Sequence, residues 1–500
     1  MTAKLTSIWS TRDTFDSRLT TNDSRLTTHD SLRDSRLTTH DSRRDGRLTS
    51  HFLLLTLLIL TGCGAASEET VVIDFWGLGV EGETVKQLVP EFERENPGIR
   101  VRVQQIPWRA AHEKLLTAFV GEGTPDVCQL GNTWIPEFAA LRALAPLDSL
   151  AEASEAVDRV DYFDGIWRTN VVDGVTYGIP WYVDTRLLFY RKDLLRNAGY
   201  DSMPETWDEW IEAMQAVKRQ AGEDRFVILL PTNEWQHPVL FGLQTGASLL
   251  KDNGRYADFS SHEFREGFEF YVDLFKNRLA PATSNTQISN VHQEFARGYI
   301  SMYLSGPWQI GEFIRRMPPD LKDEWMTAAM PGPDSAGVSL AGGASLVVFE
   351  RSRNKEAAWK FVEFLSRPEQ QVRFYRATGN LPPSRSAWQD SLLASNEYAA
   401  AFYEQLQRVT PLPPVPEWER IADKVWVYAE EAIRGRMTID EALGSLDREV
   451  DEILAKRRWM LARREHPGSR LQVPGSRIQV PGSRGADVDT ISYPPTPQQP

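Results

Sequence analysis

The sequence predicts an α/β protein built around a parallel sheet. Two observations carry this. Strand-like and helix-like stretches alternate between residues 71 and 130, and the part from 70 to 460, roughly 390 residues, is long enough for a core that divides into two lobes.

Taken in order, Val71-Val-Ile-Asp-Phe-Trp76 is rich in β-formers and runs into a glycine-rich loop, Gly77-Leu-Gly-Val-Glu-Gly82. Residues 83–95 place Val85, Leu88, Val89 and Phe92 on one helical face, and Asn96-Pro97-Gly98 stops that helix. Residues 99–106 alternate as a second strand. A helix over 110–120 leads to a third strand over 125–130. Thr206-Trp-Asp-Glu209 is a capping box that opens a helix over 207–219. Residues 357–365 repeat apolar Trp359, Val362 and Leu365 at helical spacing. Trp207, Trp210 and Trp359 are therefore packing residues.

Gly77, Gly79 and Gly82 spell Gly-x-Gly-x-x-Gly between a strand and a helix. A dinucleotide site needs an acidic residue at the end of the second strand to hold the ribose, and here that strand ends Gln104-Gln105-Ile106. The motif does not read as a cofactor site, and no cofactor is expected. Eight scattered histidines without an H-x-x-x-H pair in the body argue against a metal site. No Gly-x-Ser-x-Gly elbow is present.

The formal charge is −13. Nine basic and seven acidic residues precede Cys63, leaving 47 basic against 62 acidic after it, a net −15. Such a surface repels phosphate backbones, so no nucleic-acid partner is expected. Both ends differ from the middle. Asp-Ser-Arg-Leu-Thr-Thr occurs at 16–21, 23–28 and 34–39, and Pro-Gly-Ser-Arg at 467–470, 474–477 and 481–484. Neither end carries apolar periodicity, and both are expected to be disordered.

Residues 52–62 form an apolar run of about 11 residues behind Arg43, Arg44 and Arg47, too short to span a bilayer but suited to a signal-peptide core. Leu60-Thr-Gly-Cys63 resembles the bacterial lipobox. The resemblance implies cleavage before Cys63, lipidation of its thiol, and a body held outside the cytoplasm, in the periplasm or at the cell surface. Cys128 is then the one remaining cysteine, and no intrachain disulfide can form.

The order of segments over 70–460 resembles the extracellular solute-binding proteins of ABC importers, in the carbohydrate (maltose-type) branch. The blocks that carry it are Phe92-Glu-Arg-Glu-Asn-Pro-Gly-Ile99, Pro125-Asp-Val127, Gly131-Asn-Thr-Trp-Ile-Pro-Glu-Phe138, residues 177–194, residues 295–308, Gly342-Gly343 and Gly379-Asn-Leu-Pro-Pro383. The resemblance implies two α/β lobes of the periplasmic-binding-protein type, each a mostly parallel sheet flanked by helices, with the ligand in the cleft between them. It also implies lobe closure on binding, delivery to the permease transmembrane subunits of the importer, a monomer, and no catalysis. On this pattern residues 1–62 are an extension with signal peptide and 63–69 an anchor linker. Residues 70–183 with 341–385 form the first lobe, 184–340 with 386–460 the second, and 461–500 a tail.

A sugar site needs flat aromatic faces for the C–H side of a pyranose, and planar carboxylates or amides for its hydroxyls. The loop-associated aromatics are Trp76, Trp108, Trp134, Trp181, Tyr182, Trp235 and Trp308. The expected ligand residues are Trp308 after Ser-Gly-Pro, Asp184 at the first crossover, Asn132 and Trp134 after the third strand, and Glu234 with Trp235 before His237-Pro238. Glu81 in the glycine loop, Arg109, Gly342, Gly343 and Trp418 complete the set. A di- or oligosaccharide is the expected ligand. The rival readings are a glycoside hydrolase, which needs a carboxylate pair flanking a scissile bond, and a binder of an anion such as glycerol phosphate, which needs several basic residues in the cleft.

Overall fold

Residues 70–465 are described in the computed structural model. Cys63, the expected signal-peptide core and both sets of terminal repeats lie outside them. The chain begins β1 (Val71–Leu78), α1 (Gly79–Glu95), β2 (Ile99–Ile106), α2 (Trp108–Val120), β3 (Val127–Gly131). Both β2 and β3 pair with β1 in parallel, with Val71 opposite Ile99 and Phe75 opposite Val127. The alternation of residues 99–106 is that of an edge strand: its middle side chains are partly or fully exposed, while Ile99 and Ile106 at its ends are buried.

Helix α1 starts four residues earlier than expected. The glycines form the strand-to-helix junction and the first helical turn instead of a loop. A Cβ on Gly82 would come within 2.7 Å of the Gly77 carbonyl oxygen, and one on Gly77 would strike the Gly82 Cα. The spacing serves close strand–helix packing, which accounts for the motif without a nucleotide.

β4 (Ile179–Val183) closes the first sheet, and four residues later β5 (Leu187–Arg191) belongs to the second. There follow α3 (Trp207–Ala221), β6 (Ile228–Leu229), β7 (Met302–Ser305), α4 (Trp308–Arg316), β8 (Trp325–Ala328) and β9 (Gly343–Val348). The first sheet has the order β2-β1-β3-β9-β4, so β9 returns to it after the whole second sheet, β8-β5-β7-β6, has been laid down. The fold is two-lobed α/β, as expected. The expected parallel pairing holds for β2-β1-β3, while β9 runs antiparallel to both β3 and β4. In the second sheet β5 is antiparallel to β7 and β8, and only β6 and β7 are parallel. Strands that enter a sheet from the other lobe arrive reversed, and this mixes the pairing.

Helices α5 (Lys355–Ser366), α6 (Pro368–Thr378), α7 (Trp418–Ile433) and α8 (Ile439–Glu465) complete the chain. The last runs past residue 460, so 461–465 are helical rather than tail. One core lies around Phe75, Phe92, Trp181 and Phe361, and another around Trp210, Phe241, Tyr271 and Trp418. The Thr206 hydroxyl accepts from the Glu209 N–H at 3.3 Å, which caps α3, and Trp207, Trp210 and Trp359 are buried as expected. Cys128 is buried on β3, where desolvation pushes its thiol up and keeps it unreactive.

Candidate functional site

A cavity of about 460 Å³ is lined by residues from both lobes. Its floor is the crossing segment. The Asp184 N–H donates to the Gly342 carbonyl at 2.9 Å, and a Cβ on Gly342 would sit 2.7 Å from the Asp184 carbonyl oxygen. Gly343 has φ +139°, and a side chain there would collide with the Tyr182 carbonyl. Gly342 and Gly343 line the cavity, but the close approach they permit is between two passes of the chain.

The first lobe contributes Glu81, Trp108, Asn132, Trp134, Tyr182 and Asn380 to the wall. Glu81 sits in the first turn of α1, where the helix dipole favours its charge. Its Oε1 accepts from Asn380 at 3.0 Å, and its Oε2 lies 3.4 Å from the Trp108 indole nitrogen. Trp108 opens α2 and meets Trp134 with ring centroids 5.9 Å apart. Gly79, at φ +54°, is required here, because a Cβ would press on the Trp108 ring at 2.7 Å. Asn132 follows β3, but its amide is largely committed inside the protein: it donates to Thr169 and lies 3.4 Å from the Ser345 hydroxyl. The Tyr182 hydroxyl accepts from Gln129 at 3.0 Å. Burial, then the charges of Glu81 and Asp184, push that hydroxyl well above its ordinary range, so it stays a neutral donor.

Asp184 and Arg186 stand at the crossover and Trp308 and Trp235 on the second lobe. Arg186 donates to Asp184 at 3.1 Å. A third of the Asp184 side chain remains open to the cavity, against 12% of that of Arg186. Burial raises the Asp184 carboxyl above the usual range; Arg186 opposes this and Glu234 adds to it. Trp308 begins α4 directly after Pro307 and is 36% exposed. Gly306 makes room for it, since a Cβ there would enter the indole ring.

Of the expected residues, Trp308, Asp184, Asn132, Trp134, Trp235, Glu81, Gly342 and Gly343 come together on this wall. Three do not. Arg109 points out to solvent, because the next residue of a helix is rotated about 100° from Trp108. Glu234 does not line the cavity; its carboxylate lies 3.7 Å from the buried His237. Trp418 is 1% exposed and packs beneath Trp235 with centroids 5.5 Å apart, so it is core. Sequence reasoning did not select Trp108, Tyr182, Arg186, Asn380 or Glu419 for the site. Trp108 and Tyr182 were legible as aromatics outside helical stripes. Glu419, on the second residue of α7, carried no local signal; burial pushes its carboxyl up, and Thr133 across the cleft opposes this.

Arg186 is the one basic side chain on the wall, beside Glu81, Asp184 and Glu419. Among the described residues no group of three or more His, Cys, Asp or Glu is placed to hold a metal, and no helix is long and apolar enough to cross a membrane.

The sugar-binding protein MalE of Xanthomonas citri has a structure similar to this one, with 51% identity and a TM-score of 0.77 over 79% of this chain and all of that one. An ABC transporter solute-binding protein of Thermotoga lettingae, bound with α-D-tagatose, is 26% identical, with a TM-score of 0.65 over 77% of this chain and all of that one. The diacetylchitobiose binding protein DasA of Streptomyces coelicolor is 25% identical over 71% of this chain and 83% of its own length. The sequence profile of bacterial extracellular solute-binding proteins matches residues 76–372. The chain belongs to that family, whose members bind solutes rather than transform them.

Proposed function

We propose that this protein binds an uncharged di- or oligosaccharide in the interlobe cleft and delivers it to the permease of an ABC importer by lobe closure. The observation that carries this is the wall itself: Trp108, Trp134, Trp235 and Trp308 are interleaved with Glu81, Asp184 and Asn380 around one cavity. Indole faces suit the apolar side of a pyranose, and carboxylates and amides suit its paired hydroxyls. The single basic residue, already engaged by Asp184, argues against an anionic ligand. The sugar-binding relatives support the reading. On this reading the closing bodies are 70–183 with 341–385, and 184–340 with 386–460, and the protein acts as a monomer.

Cys63 is the proposed lipid anchor that holds the body at a membrane outside the cytoplasm. Cys63→Ser leaves the protein soluble or unprocessed, and mass spectrometry of the mature N-terminus reads this directly. An unmodified mature chain that retains residues upstream of 63 removes the anchor.

A thermal-shift screen against neutral sugars and their phosphates tests the ligand. Ligand that binds only the folded form raises the melting temperature. Stabilisation by a phosphorylated but not a neutral compound, with affinity falling steeply as salt rises, overturns the neutral-sugar reading.

A further inference from the structure

Behind the Trp134 indole stands a titratable pair that the cavity wall does not use. His112 lies one turn after Trp108 on α2, so the two side chains share a face of that helix. Both rings meet Trp134, with centroids 5.9 Å away for Trp108 and 5.1 Å for His112. The His112 Nε2 is 2.6 Å from the Glu137 Oε2, which comes from the short helix Ile135–Ala140 directly after Trp134. Trp134 thus packs on both rings, and Glu137 fixes the orientation of the imidazole.

The start of α7 stands opposite. Trp418, Ile421 and Val425 root this helix in the core of the second lobe. Glu419, beside Trp418, is turned instead to the cavity, where its carboxyl faces the Thr133 hydroxyl of the first lobe. Glu417 and Asp423 add two more carboxylates on this side, and Arg420 and Arg457 partly offset Glu417. The charged or titratable groups that face them from the first lobe are His112, Glu113 and Glu137.

The consequence is electrostatic. With a neutral imidazole, Glu137 meets Glu417 and Glu419 as like charges, which opposes the approach of α7 to the first lobe. With an imidazolium, the His112–Glu137 pair is neutral and Glu419 meets a cation. The Glu137 hydrogen bond holds His112 above its ordinary value; burial opposes this, and the charges of Glu137, Glu419 and Glu113 add to it. The ring therefore titrates above its ordinary 6.5, within reach of neutral pH.

Building on the reading of sugar binding by lobe closure, we infer that His112 is a positioning residue operated by a proton. As an imidazolium it braces Trp134 at the wall and draws Glu419 onto the first lobe, so that ligand binding and closure take up a proton. A closed form in which His112 gains Glu419 as a partner holds that proton more tightly than an open form that lacks it. By linkage the added sugar affinity is fully present below the open-form value and is lost as pH rises through the closed-form value.

The test is calorimetric titration of the purified protein with maltose, maltotriose and diacetylchitobiose at about pH 6 and about pH 8.5, repeated on His112→Gln and Glu419→Gln. For each sugar that binds wild type, affinity is expected to be about fivefold higher at the lower pH, with net proton uptake read from buffers of different ionisation enthalpy. Each variant should show less than about a twofold difference between the two pH values. Carbon-13 NMR of the His112 ring reads the site itself: saturating sugar should raise its titration midpoint in wild type and leave it in place in Glu419→Gln. Equal wild-type affinity at both pH values, or a midpoint that sugar does not move, overturns the inference and leaves the sugar reading standing. So does a pH dependence that either variant retains, which would leave His112 only a packing partner of Trp134. Binding of none of the three sugars at either pH overturns the sugar reading and this inference with it.

Discussion

The guanidinium of Arg186 lies 4.6 Å from the centre of the Trp308 ring while it donates to Asp184 at 3.1 Å. One side chain from the crossover therefore links Trp308, the proposed stacking residue of the second lobe, to the Asp184 carboxylate. Cation–π contacts contribute about 0.5–2 kcal/mol, so the pair holds the indole in place without locking it.

Trp308→Ala is expected to weaken sugar binding by about 1–3 kcal/mol, in line with stacked aromatic anchors elsewhere. The melting temperature of the free protein should move little, since the side chain is only partly covered. A core tryptophan would cost about 3–5 kcal/mol of stability. Titration with sugar and a thermal scan without it decide between these.

Asp184→Asn removes a charge from the hinge and keeps the shape. Hydrogen bonds to a charged group contribute about 1.5–3 kcal/mol, so the ligand should bind more weakly. X-ray scattering should show less compaction at a given sugar concentration and normal compaction at saturation. Because burial raises the Asp184 carboxyl, it takes up a proton earlier than an ordinary aspartate as pH falls. Wild-type affinity should drop across that range, and the variant should lack the drop. An altered scattering envelope without sugar, with unchanged affinity, would leave Asp184 only as the partner of Arg186.

His237 is fully buried behind the cleft wall, and burial pushes it down to about 4 from its ordinary value near 6.5, with Glu234 partly offsetting. The folded protein thus refuses a proton that the unfolded chain accepts between those two values. Stability should be flat above about pH 6.5 and fall by on the order of 3 kcal/mol as pH drops to about 4. Urea unfolding measured across that window, in wild type and His237→Leu, reads the effect. Parallel curves for the two proteins would assign the acid loss to other groups.

Gly343→Ala introduces a Cβ at φ +139°, directly against the Tyr182 carbonyl. The crossing strand would have to shift, at a cost of about 2 kcal/mol or more. A large fall in the unfolding midpoint is expected in the ligand-free protein. A midpoint within error of wild type would show that the hinge absorbs the methyl group.

The parts of this fold legible in sequence are those set by local periodicity. Val85, Leu88, Val89 and Phe92 face one core because their spacing is helical, and the Thr206 cap formed as its motif demands. Boundaries set by tertiary contact were less visible. The Gly77–Gly82 approach turned an expected loop into a helical turn, and no pattern of period 2 or 3.6 encodes it. The cavity wall was legible where a residue follows a strand end, as for Asn132, Trp134 and Trp308. It failed where neighbouring residues compete for one direction: the chain turns Trp108 inward and so Arg109 outward. Trp418 illustrates the other failure. A tryptophan at a helix start faces cleft or core according to what packs over it, and here Trp235 covers it.

The late return of β9 bears on how the chain folds as it is made. Ser345 on β9 reaches back to Asn132, 213 residues earlier, and β9 joins β3 to β4 in the first sheet. Until that strand has been synthesised the first lobe is missing its central joint, and its open edge on β3 has no partner. Contacts this distant in sequence form slowly. A chain made from its N-terminus therefore keeps its first 340 or so residues without a finished first lobe, and the topology itself delays folding until most of the protein has been synthesised.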